Sequence, residues 1–290
     1  MIKVLAMKLL SFLLFFILSF NCLALTTVTT TGKQKPDDAS HDYFINLLRL
    51  ALIVTSEEYG NAIIRTVPHP GQERVIKLLA MGAFYDVAWT GTSIARDTQL
   101  HKVPYPLFRG GLGWRGMVIR RDNQQRFSSI KSIKDLKGTI ACQGSHWPDA
   151  DILEHNGITV YRVGHFDAML QMIVLKRCDF LPLSIFEGEA ELALVQQSFP
   201  ELMFSQELIL RYPLTMHFFV NLEKAQLAKR INQGLEKLHA SGELSRYMQT
   251  HPLTKNAFPL SKFGNAQVLE LINPESQEPN PYTFKWPNKK

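Results

Sequence analysis

Residues 140–157 read IACQGSHWPDADILEHNG, and this one window holds Cys142, His146, Trp147, Asp149, Asp151 and His155. These are the residue types of a metal centre or an acid–base site. A metal needs side chains that converge on one point. Cys142 belongs to a predicted strand, where only alternate residues share a face. Asp149 and Asp151 are two apart on a predicted helix and diverge. His155 lies a turn beyond Asp151, beside the Asn156-Gly157 helix stop. The groups do not converge, so no metal site is expected. The tripeptide WPD also occurs in the acid loop of tyrosine phosphatases, but that chemistry needs a Cys with an Arg six residues later. Pro148 stands six after Cys142, and Ser184 six after Cys178. No G-x-S-x-G nucleophile motif is present either. The window is better explained as a strand (IACQG), a turn at Gly144-Ser145 and a helix. Pro148 suits the first helical position, and Asp149 and Asp151 suit the positive end of the dipole. His146 and Trp147 then sit at the lip of whatever the turn faces.

The elements around this window alternate. TTVTTT reads as a short strand, and Phe44, Leu47, Leu48, Ala51 and Val54 recur at helical spacing up to Gly60. NAIIRTVP is a strand, GQERVIKLLAMG a helix and AFYDVAWTG a strand, followed by a helical turn at TSIARDTQL. RGGLGWRGMVIRRD breaks the rhythm with Gly110, Gly111, Gly113 and Gly116 flanking an extended run, which predicts a crossing between lobes. A second unit then repeats the pattern: TIACQG, PDADILEHNG, TVYRV, FDAMLQMIVLKR, CDFLPLS and FEGEAELALVQQSF. LTMHFFVN is the return crossing, and two helices with a Ser241-Gly242 break follow. The last forty or so residues, rich in Pro and Asn, form an ordered wrap or a loose tail. Strands alternating with helices predict parallel α/β sheets. The expected fold is two doubly wound α/β lobes joined by two extended hinge crossovers, with a ligand cleft between them. The predicted boundaries are 25–112 with 218–290 for lobe 1, and 113–217 for lobe 2.

The chain has 290 residues, 46% of them hydrophobic and 20% charged, which is ordinary globular composition. The net charge of +6 is spread out, with no basic block and no aromatic interleaving, so no nucleic-acid surface is expected. Lys3 and Lys8 lie in a basic segment around the apolar run LLSFLLFFILSF, and CLA ends at Ala24. Residues 1–24 thus read as a signal peptide cleaved near Ala24, with retention as an anchor the alternative. Bulky Phe20 and Asn21 before Cys22 argue against a lipoprotein. Export leads to the periplasm, an oxidising compartment. The mature chain keeps Cys142 and Cys178. As first and third strands of one lobe they are neighbours offset by about three residues, or ~10 Å at ~3.3 Å per residue. That exceeds the ~7 Å limit for a bridge, so two free, buried thiols are predicted.

FYDVAWTGTSIARDTQLHKVPYPL, SIKSIKDLKGTIACQGS and LAKRINQGLEKLHASGELSRYM, in this order, resemble the periplasmic solute-binding proteins of the type II fold, family 3, which include the amino-acid binders of ABC transporters. The resemblance covers about residues 26–250. It is closer to a divergent uncharacterised branch that carries GxxWPD…L…NG, R-x-D-Y-F-P-R…E and a late L-x-N-P. These stand here as GSHWPDADILEHNG, KRCDFLPLSIFEGE and LELINPESQEP. One departure is Leu183, where the branch has Arg.

The resemblance implies a carboxylate clamp from Ser93 and Arg96, with Thr92 beside them at a helix N-terminus. Arg suits the task because its fork donates two parallel hydrogen bonds. The alternative is a capping Ser and an exposed Arg. Trp89, at a strand end, is an aromatic wall or a core Trp; Trp114 is a hinge-packing residue or a wall. Arg115 serves an anionic ligand group or an interlobe salt bridge. Tyr43 opens the first helix near the cleft, and Gly144, Ser145 and Trp147 form the facing lip. Glu187 matches the acid that holds a ligand ammonium, with Glu189 as a second candidate, although acids in a first helical turn also serve the dipole. Arg74 and Asp86 are weaker candidates, Asp86 more plausibly structural.

The implied function is capture of a small polar ligand, an amino acid or related carboxylate, by hinge closure for an ABC-type uptake system. No bond chemistry and no cofactor are expected. The partners would be the ligand and a membrane permease or sensor, and the protein a monomer. A ligand-sensing or orphan binding module is the alternative. A dehydratase-like enzyme using Glu187 is a minor one.

Overall fold

The structure, a computed structural model, describes residues 25–276. The predicted signal peptide lies outside the described residues. In chain order the elements are β1 (Thr26–Thr31), α1 (Ala39–Ile53), α2 (Ser56–Tyr59), β2 (Ala62–Val67), α3 (Gln72–Ala80), β3 (Val87–Gly91), α4 (Ile94–Gln99) and β4 (His101–Lys102). A tight turn at Phe108–Gly113 leads to β5 (Trp114–Arg120), α5 (Gln124–Ser128), α6 (Ile133–Leu136), β6 (Ile140–Gly144), α7 (Pro148–His155), β7 (Thr159–Val163), α8 (Phe166–Val174), β8 (Phe180–Ser184), α9 (Gly188–Val195) and β9 (Leu202–Arg211). The chain ends with β10 (Met216–Val220), α10 (Ala225–Ala240), α11 (Glu243–Thr250) and β11 (Gln267–Glu270).

The first lobe is built on β1 paired with β2 and on a second sheet in the order β3-β10-β4. The two are stitched at β1 and β3: the Asp86 amide donates to Thr29 O at 2.8 Å, and the Thr30 hydroxyl to Val87 O at 2.8 Å. Asp38 caps α1 by accepting from the His41 amide. The helix buries Tyr43, Phe44, Leu47, Leu48 and Ala51 against α10 residues Ala228, Ile231 and Leu235. Arg230, on the buried face of α10, donates to Leu52 O at 3.0 Å and Gly60 O at 2.6 Å. A cation is thereby placed on the carbonyl end of α1, where the helix dipole favours it.

The second lobe is a six-stranded sheet in the order β11-β9-β5-β8-β6-β7. Its β6, β7 and β8 run parallel, as the alternating pattern predicts, whereas β5 is antiparallel to both β8 and β9. The segments predicted as crossings are strands: β5 joins the second sheet and β10 sits between β3 and β4 in the first. The crossings are the shorter pieces beside them. There the Gly113 amide donates to Leu214 O, and the Tyr212 amide to Gly113 O, both at 3.1 Å. A Cβ on Gly113 would lie 1.9 Å from Tyr212 O, so only glycine lets the two crossings meet. The strand β11 pairs in parallel with β9. Part of the C-terminal range that the sequence assigns to lobe 1 therefore extends the sheet of lobe 2.

Cys142 and Cys178 form a disulfide, with their Cα atoms 5.7 Å apart, which corrects the expectation of free thiols. The three-residue offset is real, since Ala141 pairs with Phe180. The error lies in treating Cys178 as extended strand. It belongs to the turn after α8, where Lys176 has φ 59°, and its amide donates to Met172 O of the helix. The turn carries Cys178 off the sheet plane onto the α8 side. Cys142 lies there too, in one apolar cluster with Met169, Leu170 and Ile173.

Candidate functional site

The carboxyl end of β3, the start of α4, the Gly144–Trp147 turn and the residues after β8 come together where the crossings join the lobes. Ligands in open α/β folds bind beyond strand carboxyl ends. Arg96 bridges this gap. It donates to Gly91 O at 2.8 Å on its own lobe and to His146 O at 2.7 Å on the other. The His146 ring makes a second crossing, 3.1 Å from the Glu73 carboxylate of α3. Ser93 caps α4, its hydroxyl accepting from the Arg96 amide, and the Thr92 amide donates to Thr215 O at the return crossing. Thr92, Ser93 and Arg96 thus lie close together in the fold, with the Arg96 fork on backbone carbonyls.

Arg115, the second residue of β5, is 4% exposed. Its Nη2 is 2.6 Å from Asp149 Oδ1, and its Nε donates to the Tyr212 hydroxyl at 3.2 Å. That hydroxyl in turn donates to Asp149 Oδ1 at 2.5 Å. Burial opposes the Arg115 charge, but Asp149, Tyr212 and Glu187 together hold the guanidinium above its ordinary range. Burial, then Asp149, push the Tyr212 phenol well up. A buried pair whose donors are satisfied is rigid. Arg115, expected to serve an anionic ligand group or an interlobe salt bridge, instead pairs here with Asp149 and Tyr212.

Glu187 follows β8 and precedes α9. Its carboxylate is half-buried and makes no hydrogen bond or ion pair with the described residues. Burial raises its pKa to about 7, with Arg115 opposing and Glu191 and Asp149 adding. Glu191, one turn on, is also raised by burial and meets Lys35 of the other lobe at 3.4 Å. Tyr43 is wholly buried and rings itself with Phe44, Phe108, Tyr247 and His251, all at 5.0 to 5.1 Å between centroids. Its hydroxyl has no hydrogen-bond partner among the described residues. Burial, with Tyr247 and Glu187 nearby, raises the phenol well above its usual range.

Trp89 is half-buried and stacks on Phe44 at 5.3 Å. Trp114 is buried at the hinge under the Arg211 guanidinium, 4.8 Å from its ring. A Cβ on Gly144 would meet the Trp147 ring at 2.6 Å, so glycine lets that ring fold over the turn. The Trp147 ring packs on the apolar cluster around the disulfide. The Ser145 amide is engaged by Val163 O. Leu183 is buried in that cluster as well, away from the polar groups. Asp86 accepts from the Thr29 amide at 2.7 Å and pairs with Lys224, a structural role, while Arg74 is exposed. Glu189 pairs with Lys262 at 3.6 Å.

Three contributors were not foreseen. Asp149 looked fully explained as a first-turn acid. Tyr212 lies in a segment the sequence pattern left unassigned. The third is the tail. Asn156 and Ile272 exchange hydrogen bonds at 2.8 and 3.0 Å, Asn273 donates to Pro213 O at 2.6 Å, and the Ile94 amide donates to Glu275 at 3.0 Å. Residues 272–275 therefore touch lobe 2, a crossing and lobe 1 in succession. Among the described residues no three His, Cys, Asp or Glu side chains are grouped to hold a metal ion. None of the described helices is long and apolar enough to cross a membrane.

No family model and no curated protein matches the chain by sequence. Solved structures do match. A histidine kinase sensor domain with similarity to periplasmic binding proteins superposes with a TM-score of 0.59 at 14% identity, covering 78% of this chain and 95% of that one. A putative L-cystine ABC transporter protein from Listeria monocytogenes gives 0.55 at 15%, covering 80% and 99%. An arginine-specific periplasmic binding protein from Salmonella typhimurium gives 0.54 at 13%, covering 78% and 99%. The fold is that of the type II periplasmic binding proteins.

Proposed function

We propose that this chain is an exported binding protein that closes its two lobes around a small amino-acid-like solute and presents the closed form to a membrane permease. One observation carries the reading. A half-buried carboxyl, Glu187, with a pKa near 7, lies near enough to the wholly buried Tyr43 to help raise its phenol, and neither group has a hydrogen-bond partner among the described residues. Buried polar groups in native proteins are otherwise paired, and a ligand with an ammonium and a polar acceptor would pair both. Arg96 would then turn from His146 O to the ligand carboxylate, and Trp89 would supply an aromatic wall. The Arg115–Asp149–Tyr212 triad would fix the floor without gripping the ligand. The likeness to an arginine-specific binding protein supports the ligand class, and the likeness to a putative L-cystine ABC transporter protein supports an uptake role.

Thermal-shift screening of the mature protein against amino acids, polyamines and organic acids tests this. Amino acids should raise Tm, and the rise should vanish in Glu187→Gln and Arg96→Ala. No shift with any amino acid, or shifts unchanged in both variants, would sink the proposal. A second reading is favoured by the same pKa. A carboxyl poised near neutrality is suited to general acid–base work, as a dehydratase would need. Product formation from a bound ligand, abolished by Glu187→Gln, would select it.

A further inference from the structure

Outside the cleft, Arg109, Phe186, Ser245, Met248, Gln249, Phe258 and Leu260 line a small pocket of about 50 Å³ that opens to the surface. None of the proposed cleft ligands contributes to it. Four of the lining side chains are apolar, and Arg109 is the only charged one. Arg109 makes no hydrogen bond or ion pair with the described residues, and its Nε is buried without a partner. A buried guanidinium N–H in an apolar wall with no acceptor is a costly arrangement. The backbone beneath it is costly as well. Phe108 has φ 53° and Arg109 φ 50°, two successive non-glycine residues in the left-handed region. Outliers of this kind gather at ligand clamps and switch regions.

We infer that this cavity is a second binding site, taking a small monocarboxylate with an aromatic or branched apolar body. The single fork of Arg109 matches one carboxylate through two parallel hydrogen bonds. A dianion would bring a second charge that the apolar wall cannot compensate. The Phe186 and Phe258 rings, 5.9 Å apart and tilted by 43°, flank the space for the apolar body. Met248 is an adaptable filler of such a space. Ser245 and Gln249, one turn apart on α11, stand on the same helix face as polar groups in its wall. Packed rings lie between the site and the cleft: Phe186 stacks on Phe108 at 5.7 Å, and Phe108 lies 5.0 Å from Tyr43.

The test uses the mature protein, ligand-observed NMR and calorimetry, with benzoate, phenylacetate and 3-methylbutanoate as probes. Benzamide and benzylamine keep the apolar body and remove or invert the charge. The carboxylates should bind, and the amide and amine should bind at least about tenfold more weakly, the loss expected for one charge-assisted hydrogen bond. Arg109→Asn keeps a residue that tolerates the left-handed backbone and removes the cation; it should weaken the carboxylates by a similar factor. Met248→Trp fills the cavity and should do the same. Glu187→Gln and Arg96→Ala should leave this binding unchanged, which separates it from the cleft. The inference is overturned by any of three results: no carboxylate binding up to about 10 mM, the weak end of ligand affinity; binding indifferent to both Arg109→Asn and Met248→Trp; or binding lost in the cleft variants instead.

Discussion

If Glu187 receives a ligand ammonium, binding must be coupled to its ionisation. The raised pKa, about 7, means that half the molecules carry a protonated, neutral Glu187 at pH 7. Only the carboxylate competes for the cation, so the apparent Kd is the intrinsic one divided by the ionised fraction. That fraction falls to about 9% at pH 6 and rises to about 91% at pH 8. The apparent Kd should therefore weaken about fivefold from pH 7 to pH 6 and tighten about twofold from pH 7 to pH 8. Binding at pH 7 should release about half a proton. Calorimetry in buffers of different ionisation heat measures both quantities. Glu187→Gln should flatten the pH dependence and lose roughly 10- to 100-fold in affinity, the worth of a hydrogen bond to a charged group. Glu191→Gln is the control for the neighbouring raised acid. Without ligand the sign reverses. The folded state holds the Glu187 proton more tightly than the unfolded chain, so this residue's contribution to stability declines as pH rises from about 4.5 to about 7. A pH-independent Kd between pH 6 and 8, no proton release, or a slope that survives Glu187→Gln would refute the assignment.

Arg96→Ala removes the guanidinium that joins Gly91 O to His146 O. Discounted for its partial exposure, this loss of about 1–2 kcal/mol should shift the closed-to-open ratio about 5- to 30-fold, read as a larger radius of gyration in solution scattering. Cys142→Ser with Cys178→Ser opens a cross-link spanning 36 residues, and the loop-entropy relation gives a loss of about 4 kcal/mol in chemical unfolding. Gly113→Ala places a Cβ against Tyr212 O and should destabilise by at least about 2 kcal/mol while leaving both sheets intact by circular dichroism. Truncation after Leu271 removes the strap from Asn156 to Pro213 and Ile94, and should speed hydrogen exchange at the Ile94 amide selectively.

The parts of this molecule that the sequence disclosed are those whose cause is local. The helix α7 runs from Pro148 to His155 because Pro starts it and Asn156-Gly157 stops it, signals that sit within a few residues of their effect. The break at Ser241-Gly242 between α10 and α11 is of the same kind, with Gly242 at φ 78°. What escaped depends on partners far along the chain. The strand β9 shows no clean alternation because its first half is only partly covered and its pairing with β5 shifts register near Arg115. Strand spacing alone puts the two cysteines too far apart, but the distance is set by a left-handed turn at Lys176 that has no glycine to announce it.

Asp149 shows how a sufficient local explanation conceals a distant one. A first-turn acid at a helix N-terminus is accounted for by the dipole alone, yet this one is buried between Arg115 and Tyr212, residues 34 and 63 positions away. The same logic changes what Arg115 can do. Read along the chain, it is a cation near a cleft and hence a grip for an anion. Read in three dimensions, it is already matched, and a ligand carboxylate would have to displace Asp149 from a buried pair, leaving an uncompensated charge at a cost of several kcal/mol. The cation free to exchange partners is Arg96, whose donors rest on backbone carbonyls at the rim. Specificity in this cleft is therefore expected to follow Arg96 and Glu187. Arg115→Met should impair folding through the orphaned Asp149, whereas Arg96→Ala should spare folding and impair only closure and binding.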